Sequence, residues 1–327
     1  MRRYLIHYFS GTGNTHHMVK VIERDLKNKG YSVELLNVEG DSENYLNLKD
    51  YEFHIFCFPV YGFGTPSIML KYILNMKTTI QANAAIICTS GGFEGQSLSH
   101  FKYLLNKKGF KVFFTDMVMY TYNWTQVLNP QDKKVEEKVF KEADFKVIAI
   151  TEKIINTEAN FKKRNGISLI LCWIVFILFS KVARKILGKT FIADKSCINC
   201  RKCKDICPAK AINIYNGRPT WNWKCESCQR CINICPQKSI QLSIVKLIIF
   251  FVLGLIPIWI IIDINTYIIQ FSIINNIILY FIMFFINNIL STILISFMEK
   301  VRIFRDILEV SYTKKYRRNI AFDFKIK

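Results

Sequence analysis

The sequence predicts an open, doubly wound α/β parallel sheet, then a small cysteine-rich α+β domain, then a C-terminal hairpin of two membrane-length helices. Three observations carry this: alternating strand and helix signals over residues 1–160, eight of the eleven cysteines gathered into residues 197–235, and two long apolar runs after residue 243. Charge divides the chain in a similar way. Residues 1–160 hold 19 Lys and Arg against 17 Asp and Glu, and the remainder hold 26 against 8, so almost all of the net +20 lies in the second part.

In the first unit RYLIHYF reads as a parallel strand buried on both faces, because such strands are continuously apolar. SGTGNT reads as a tight turn, and HHMVKVIERDLKNKG as a helix with Met18, Val19, Ile22 and Leu26 on one face. YSVELLNV, FHIFCFPV, AAIICTS and FKVFFTDMVMY follow as strands, separated by helical stretches near 66–76, 94–108 and 131–158. That alternation implies a parallel sheet covered by helices on both faces. His16 and His17 are expected to face solvent at the start of the first helix, and Cys57 and Cys88 to lie in the core. His7, His54 and His100 have no metal-ligand spacing. No nucleophile with a base and an orienting acid is evident, so the chemistry is expected to rest on cofactors.

The turn after the first strand discriminates among phosphate loops. A P-loop ends in Gly-Lys-Ser/Thr, whereas here Asn14-Thr15-His16 follows, and a dinucleotide fingerprint needs a third glycine where His16 stands. What remains is Ser10, Gly11, Thr12, Gly13, Asn14 and Thr15 at a helix N-terminus, where amides, hydroxyls and the helix dipole hold phosphate without a cationic side chain. On Ser-x-Thr-Gly-x-Thr directly after a strand, residues 1–158 resemble the flavodoxins. The resemblance implies flavin mononucleotide (FMN), strand order 2-1-3-4-5, and a ligand at the switch point outside strands 1 and 3. It places the flavin walls in PVYGFGTPS (Pro59, Val60, Tyr61, Gly62, Phe63) and TSGGFEGQS (Ser90, Gly91, Gly92, Phe93). Tyr61, Phe63 and Phe93 are the candidate ring neighbours, with Trp124 a candidate rim.

CINCRKCKDICP and CESCQRCINICP each read C-x2-C-x2-C-x3-C-P. Three cysteines at this spacing wrap one loop around three corners of an iron-sulfur cube, and in a two-cluster arrangement the fourth ligates the other cube. That gives Cys197, Cys200, Cys203 and Cys235 for cluster 1, and Cys207, Cys225, Cys228 and Cys231 for cluster 2. Zinc has no use for the third cysteine or the Cys-Pro. Disulfides are disfavoured because the sequence opens on a strand and not on a secretory signal. Residues 190–243 therefore resemble bacterial-type ferredoxins with two [4Fe-4S] clusters.

Between these units, residues 167–179 form an apolar core of about 13 residues against the roughly 20 of a spanning helix. With Lys162, Lys163 and Arg164 on one side and Lys181, Arg184, Lys185 and Lys189 on the other, residues 161–189 are expected to lie in or dip into the membrane interface. Residues 247–262 and 268–297 are expected to cross it twice, joined by the uncharged-by-lysine link DINTY, with Pro257 a candidate kink. Asn275, Asn276, Asn287 and Asn288 need partners there, either across helices or, in a further reading, a quinone head. The basic segment 299–327 is expected on the lipid surface. The high charge lacks any nucleic-acid-reading motif, which excludes nucleic acid as the partner class.

Together, residues 1–243 resemble flavodoxin-ferredoxin fusion proteins: a flavodoxin-like doubly wound sheet, an α+β two-[4Fe-4S] ferredoxin domain, and here an added transmembrane helical hairpin. The resemblance implies an oxidoreductase-type electron carrier at the cytoplasmic membrane, with both domains on the cytoplasmic side. Its expected partners are membrane lipid and an acidic redox protein attracted by Arg201, Lys202, Lys204, Lys224 and Arg230. Two other readings are a reductase of quinone or another small acceptor, and a redox-sensing module with an empty flavodoxin fold.

Overall fold

In the computed structural model, residues 2–39, 47–76, 81–161, 166–267 and 272–324 are described. The first unit alternates β1 (Arg3–Tyr8), α1 (Asn14–Asn28), β2 (Ser32–Asn37), β3 (Phe53–Pro59), α2 (Ser67–Asn75), β4 (Asn83–Ser90), α3 (Ser97–Lys107), β5 (Lys111–Met119) and α4 (Lys133–Ile155). All strand pairs are parallel, in the order β2-β1-β3-β4-β5. The central strands are buried along almost their whole length, which is why they read as unbroken apolar runs, whereas edge strand β2 alternates. One core joins the sheet to α1 and α4, the other joins it to α2 and α3. Cys57 and Cys88 are fully buried, as expected.

The cysteine-rich unit is closed by β6 (Phe191–Ala193) pairing antiparallel with β9 (Ile240–Leu242), so its two ends meet. Between them lie α7 (Lys202–Asp205), the hairpin of β7 (Ile212–Tyr215) and β8 (Arg218–Trp221), and α8 (Arg230–Ile234). Asn216 and Gly217 turn that hairpin with positive φ of 47° and 75°, as a two-residue primed turn requires. Phe191, Ile212, Trp221, Ile232 and Ile240 fill its small core.

The connector differs from expectation. Instead of an apolar core of about 13 residues too short to cross, α5 (Gly166–Leu178), a π-helical turn (Phe179–Ala183) and α6 (Arg184–Lys189) form one run, Gly166–Lys189, of 24 residues. Its length and composition suffice to cross a membrane. The helix continues through its charges because Arg184 turns inward, to Glu226 and to the Ser180 carbonyl. Ile167, Ile170, Leu171 and Trp173 stay exposed, while Phe176 and Phe179 pack on Gly64 and Gly62. Lys162, Lys163 and Arg164 lie outside the described residues.

Two further helices have spanning length and composition, α9 (Ile244–Tyr267, with Pro257 inside) and α10 (Ile273–Lys300). Residues 263–267 of the DINTY link are helical, and 268–271 lie outside the described residues. Asn276 bonds across the hairpin to Asn265 (2.8 Å) and Asn287 to the Leu253 carbonyl (2.8 Å), whereas Asn288 bonds back to Phe284 of its own helix. At the hairpin base, buried Lys246 reaches Glu299 (2.5 Å) and the Phe191 carbonyl (2.7 Å), tying the hairpin to β6.

The segment after the hairpin is not a surface tail. α11 (Arg302–Leu308) docks on the cysteine-rich unit through Lys195 with Asp306 (2.9 Å) and Arg218 with Glu309. The chain then runs back as a strap: Lys314 pairs with Asp194 (2.6 Å), Arg317 with Glu136 (2.7 Å), and the Ala321 amide bonds the Thr12 carbonyl (3.0 Å). Two of its basic side chains, Lys314 and Arg317, thus find carboxylates on the cysteine-rich unit and the first unit.

Candidate functional site

Ser10 and the residues after it turn sharply between β1 and α1. The Ser10 hydroxyl accepts from the amides of Gly13 (3.1 Å) and His16 (3.2 Å), so the loop is folded around its own first side chain. Gly13 has φ of 109°, and a Cβ there would stand 2.6 Å from the Ala321 side chain, so glycine is required by backbone and by strap alike. Asn14 donates to the Thr121 carbonyl (2.8 Å), Asn123 donates to the Thr12 hydroxyl (2.8 Å), and the Thr15 and Thr89 hydroxyls meet at 2.7 Å. The first turn of α1 opens at this loop, its His16 amide held by Ser10.

This loop forms one end of a cavity of about 490 Å³ outside the carboxyl ends of β1, β3, β4 and β5. Ser10, Gly11, Thr12, Asn14 and Thr15 line it; so do Pro59, Val60, Tyr61, Gly62 and Phe63, and Ser90, Gly91 and Phe93. Gly13 and Gly92 do not. Phe63 and Phe93 stand edge-to-face at 5.6 Å and are partly exposed at the mouth, while Trp124 lines the cavity as well. Tyr61 is turned inward, its hydroxyl 2.2 Å from where a Gly11 Cβ would lie. A volume of this size, with a phosphate-type loop at one end and aromatics at the other, fits a mononucleotide cofactor.

Two groups of wall residues carry no sequence-adjacent signal. Val175 and Phe179 enter from the connector helix, and Ser227, Cys228 and Gln229 enter from the second cysteine motif. The second motif is held against the first unit by Thr125 to Asn233 (2.8 Å), the Gln126 amide to Gln229 (3.0 Å) and Ser227 to Gln126 (3.1 Å). Glu226 is bound by Ser67 and Arg184. A cysteine expected to hold a metal cluster therefore borders the cavity expected to hold the flavin.

The two motifs wind alike. Asn199 and Arg201 in the first, and Ser227 and Gln229 in the second, have φ of 53°, 58°, 50° and 64°, with Lys210 and Lys238 likewise left-handed after each Cys-Pro. Non-glycine residues in this region cost of order 1–3 kcal/mol each, a strain these loops bear to aim their cysteines inward. Cys197, Cys200, Cys203 and Cys235 line one small pocket walled by Ile198, Ile214 and Ile240. Cys207, Cys225, Cys228 and Cys231 form the other electrostatic group. Among the described residues, no three His, Cys, Asp or Glu converge as tightly as a single metal ion requires. As free thiols, Cys203, Cys225 and Cys228 are pushed up to about 12 by burial, with Arg230 opposing the rise at Cys228; metal binding would release their protons. The amides of Ala211 and Ser227 point at Cys207 Sγ (3.3 Å) and Cys225 Sγ (3.4 Å).

His16 and His17 do not face solvent as expected. His17 is buried between Asp144 (2.9 Å) and Asp323 of the strap (3.0 Å), and His16 packs against Phe324 at 5.3 Å. Burial opposes charge on His17, but both carboxylates outweigh it and raise its pKa. His7 and His54 form a buried pair (2.8 Å) in the sheet core, with Tyr72 on the other ring nitrogen of His7 (2.6 Å).

A family model described as a 4Fe-4S dicluster domain matches residues 196–240. Among solved structures, a flavodoxin from the domain Archaea is 16% identical, covering 46% of this chain and 98% of its own, with a TM-score of 0.33. Oxidised flavodoxin 1 from Bacillus cereus is 18% identical (48% and 98% covered, TM-score 0.36), and a putative quinone reductase from Klebsiella pneumoniae 13% (51% and 90%, TM-score 0.35). No curated protein matches. The observed strand order carries the flavodoxin-like assignment of the first unit. The chain is thus a flavodoxin-like domain joined to a ferredoxin-type 4Fe-4S domain. That architecture is one of electron-transfer redox proteins.

Proposed function

We propose that this protein is a membrane-anchored carrier that passes electrons between FMN, two [4Fe-4S] clusters and an external redox partner. The observation that carries it is Cys228, a ligand of the proposed cluster 2, in the wall of the cavity that the phosphate loop also lines. Flavin accepts one or two electrons whereas each cube passes one, so the pair converts two-electron to one-electron flow. The phosphate loop, Phe63 and Phe93 would hold and orient the flavin. Cys207, Cys225, Cys228 and Cys231 would hold the inner cluster, and Cys197, Cys200, Cys203 and Cys235 the outer one.

The outer loop suits a docking site. Ile198 and Cys200 are exposed, with exposed Arg201, Lys202 and Lys204 on the same loop, whereas Lys224, also exposed, belongs to the second motif. An acidic one-electron partner would be steered to it. Arg230, expected with these, is buried and serves otherwise. The hairpin tethers the carrier with both ends at the cytoplasmic face, where Lys300 ends α10 and Arg302 and Arg305 follow it.

Anaerobic, detergent-extracted protein is expected to contain about eight iron and one FMN per chain, with stopped-flow reduction of the flavin followed by reduction of the clusters. Iron at that level with no flavin uptake would favour the sensing reading. A second reading, reduction of an apolar acceptor such as quinone at the flavin, is favoured by Val175 and Phe179, which bring a membrane-length helix to the cavity wall. Steady turnover of a soluble quinone by the isolated protein, undiminished when the outer cluster is deleted, would select it.

A further inference from the structure

We infer that Arg230 is a positioning residue that makes FMN binding depend on the cluster domain; this rests on the cofactor reading above. Arg230 lies between Cys228 and Cys231 and is 2% exposed. All five of its N–H donors are used. Nε donates to the Gly11 carbonyl (2.9 Å), Nη2 to the Ser10 carbonyl (2.5 Å) and Glu39 (2.5 Å), and Nη1 to Glu39 (2.6 Å) and the Ile206 carbonyl (3.0 Å). One guanidinium thus joins the phosphate loop, the end of β2 and the loop that carries Cys207.

The two loop carbonyls matter most. In a trans peptide the carbonyl and the following amide point in opposite directions. Drawing the Ser10 and Gly11 carbonyls onto Arg230 therefore turns the Gly11 and Thr12 amides the other way, and both residues line the cavity. A phosphate needs donors there and would be repelled by carbonyl oxygens. The loop has no lysine of its own, so its donor geometry rests on backbone orientation. Arg230 fixes that orientation from behind. It is also the cation acting on Cys228, and the strap's Phe324 ring covers it at 5.5 Å.

A mere pin between domains would alter stability alone; a positioning residue also alters flavin affinity in molecules that are fully folded and loaded with iron. Arg230→Lys keeps the charge but cannot span two carbonyls and a carboxylate. In full-length detergent-solubilised protein, stripped of flavin and titrated anaerobically with FMN, R230K is expected to bind about tenfold more weakly, the loss of one charge-assisted bond. Its iron content should equal the parent's, and the midpoint potential of the inner cluster, read by EPR titration, should stay near the parent's. Glu39→Gln is the second variant. It leaves both carbonyl contacts standing and removes the countercharge, so FMN affinity should hold while the inner-cluster midpoint moves positive and the outer one does not. R230K with full iron and FMN affinity within about twofold of the parent overturns the inference alone, as does E39Q with an unmoved inner midpoint should R230K lose its iron. A parent protein that takes up no FMN overturns the cofactor reading together with it.

Discussion

The two cysteine motifs share a backbone and differ in everything around it. In the first, Ile198, Asn199, Arg201 and Lys202, the residues between its first three cysteines, all face solvent. In the second, Glu226, Ser227, Gln229 and Arg230 are all buried, and each is bound to the flavodoxin-like domain or the connector helix. One fold of loop therefore stands in two surroundings. Cysteine spacing sets where a cluster can form, and the side chains between the cysteines set what surrounds it: the cavity wall in one case, solvent in the other.

The sharpest way to break this comparison is to remove one cluster at a time. Cys228→Ser and Cys200→Ser should each lower iron from about eight to about four per chain. Only the first should abolish transfer from reduced flavin to the remaining cluster, as followed by stopped-flow absorbance; equal effects of both would sink the inner-outer assignment. Next in size is the interface itself. Glu226→Ala leaves buried Arg184 without its carboxylate and should destabilise the folded chain by about 3–5 kcal/mol, measured as the midpoint of denaturant unfolding, whereas Asn199→Ala on the exposed loop should cost far less. A milder test reverses charge on the outer rim. Glu at Arg201, Lys202 and Lys204 together should slow reduction of an acidic acceptor several-fold at low salt and little at high salt, with flavin-to-cluster transfer untouched.

The smallest effect is expected from pH at the strap. His17 is raised by Asp323 and Asp144 despite burial, so its contribution is complete below its unfolded pKa near 6.5 and fades as pH rises through the folded value. Hydrogen exchange at residues 319–324 should accelerate over that rise, and His17→Gln should flatten the dependence.

Much of this arrangement was readable from local pattern. Parallel strands such as FHIFCFPV announce burial on both faces, and C-x2-C-x2-C-x3-C-P encodes its loop within twelve residues. SGTGNT could be recognised because the Ser10 hydroxyl serves its own turn. What escaped is what depends on distant partners. Arg230 looked like one more rim cation until Glu39 and two carbonyls 219 and 220 residues away were found to consume it. His17 looked solvent-facing because its acids stand 127 and 306 residues off. Phe176 and Phe179 read as lipid-facing since nothing nearby in the chain tells of Gly64 and Gly62. The glycines of the 60s loop hold the one usable hint, a pair of sites without side chains that a neighbouring helix can fill.

The strap also imposes an order on biogenesis. Synthesis runs from N- to C-terminus, so α9 and α10 emerge before Ala321 and Phe324, the residues that close over Gly13 and Arg230. The phosphate loop is consequently finished last although it is made first, and it is finished by a segment that the hairpin delivers. A chain whose hairpin has not settled lacks the residues that pack over Gly13 and Arg230.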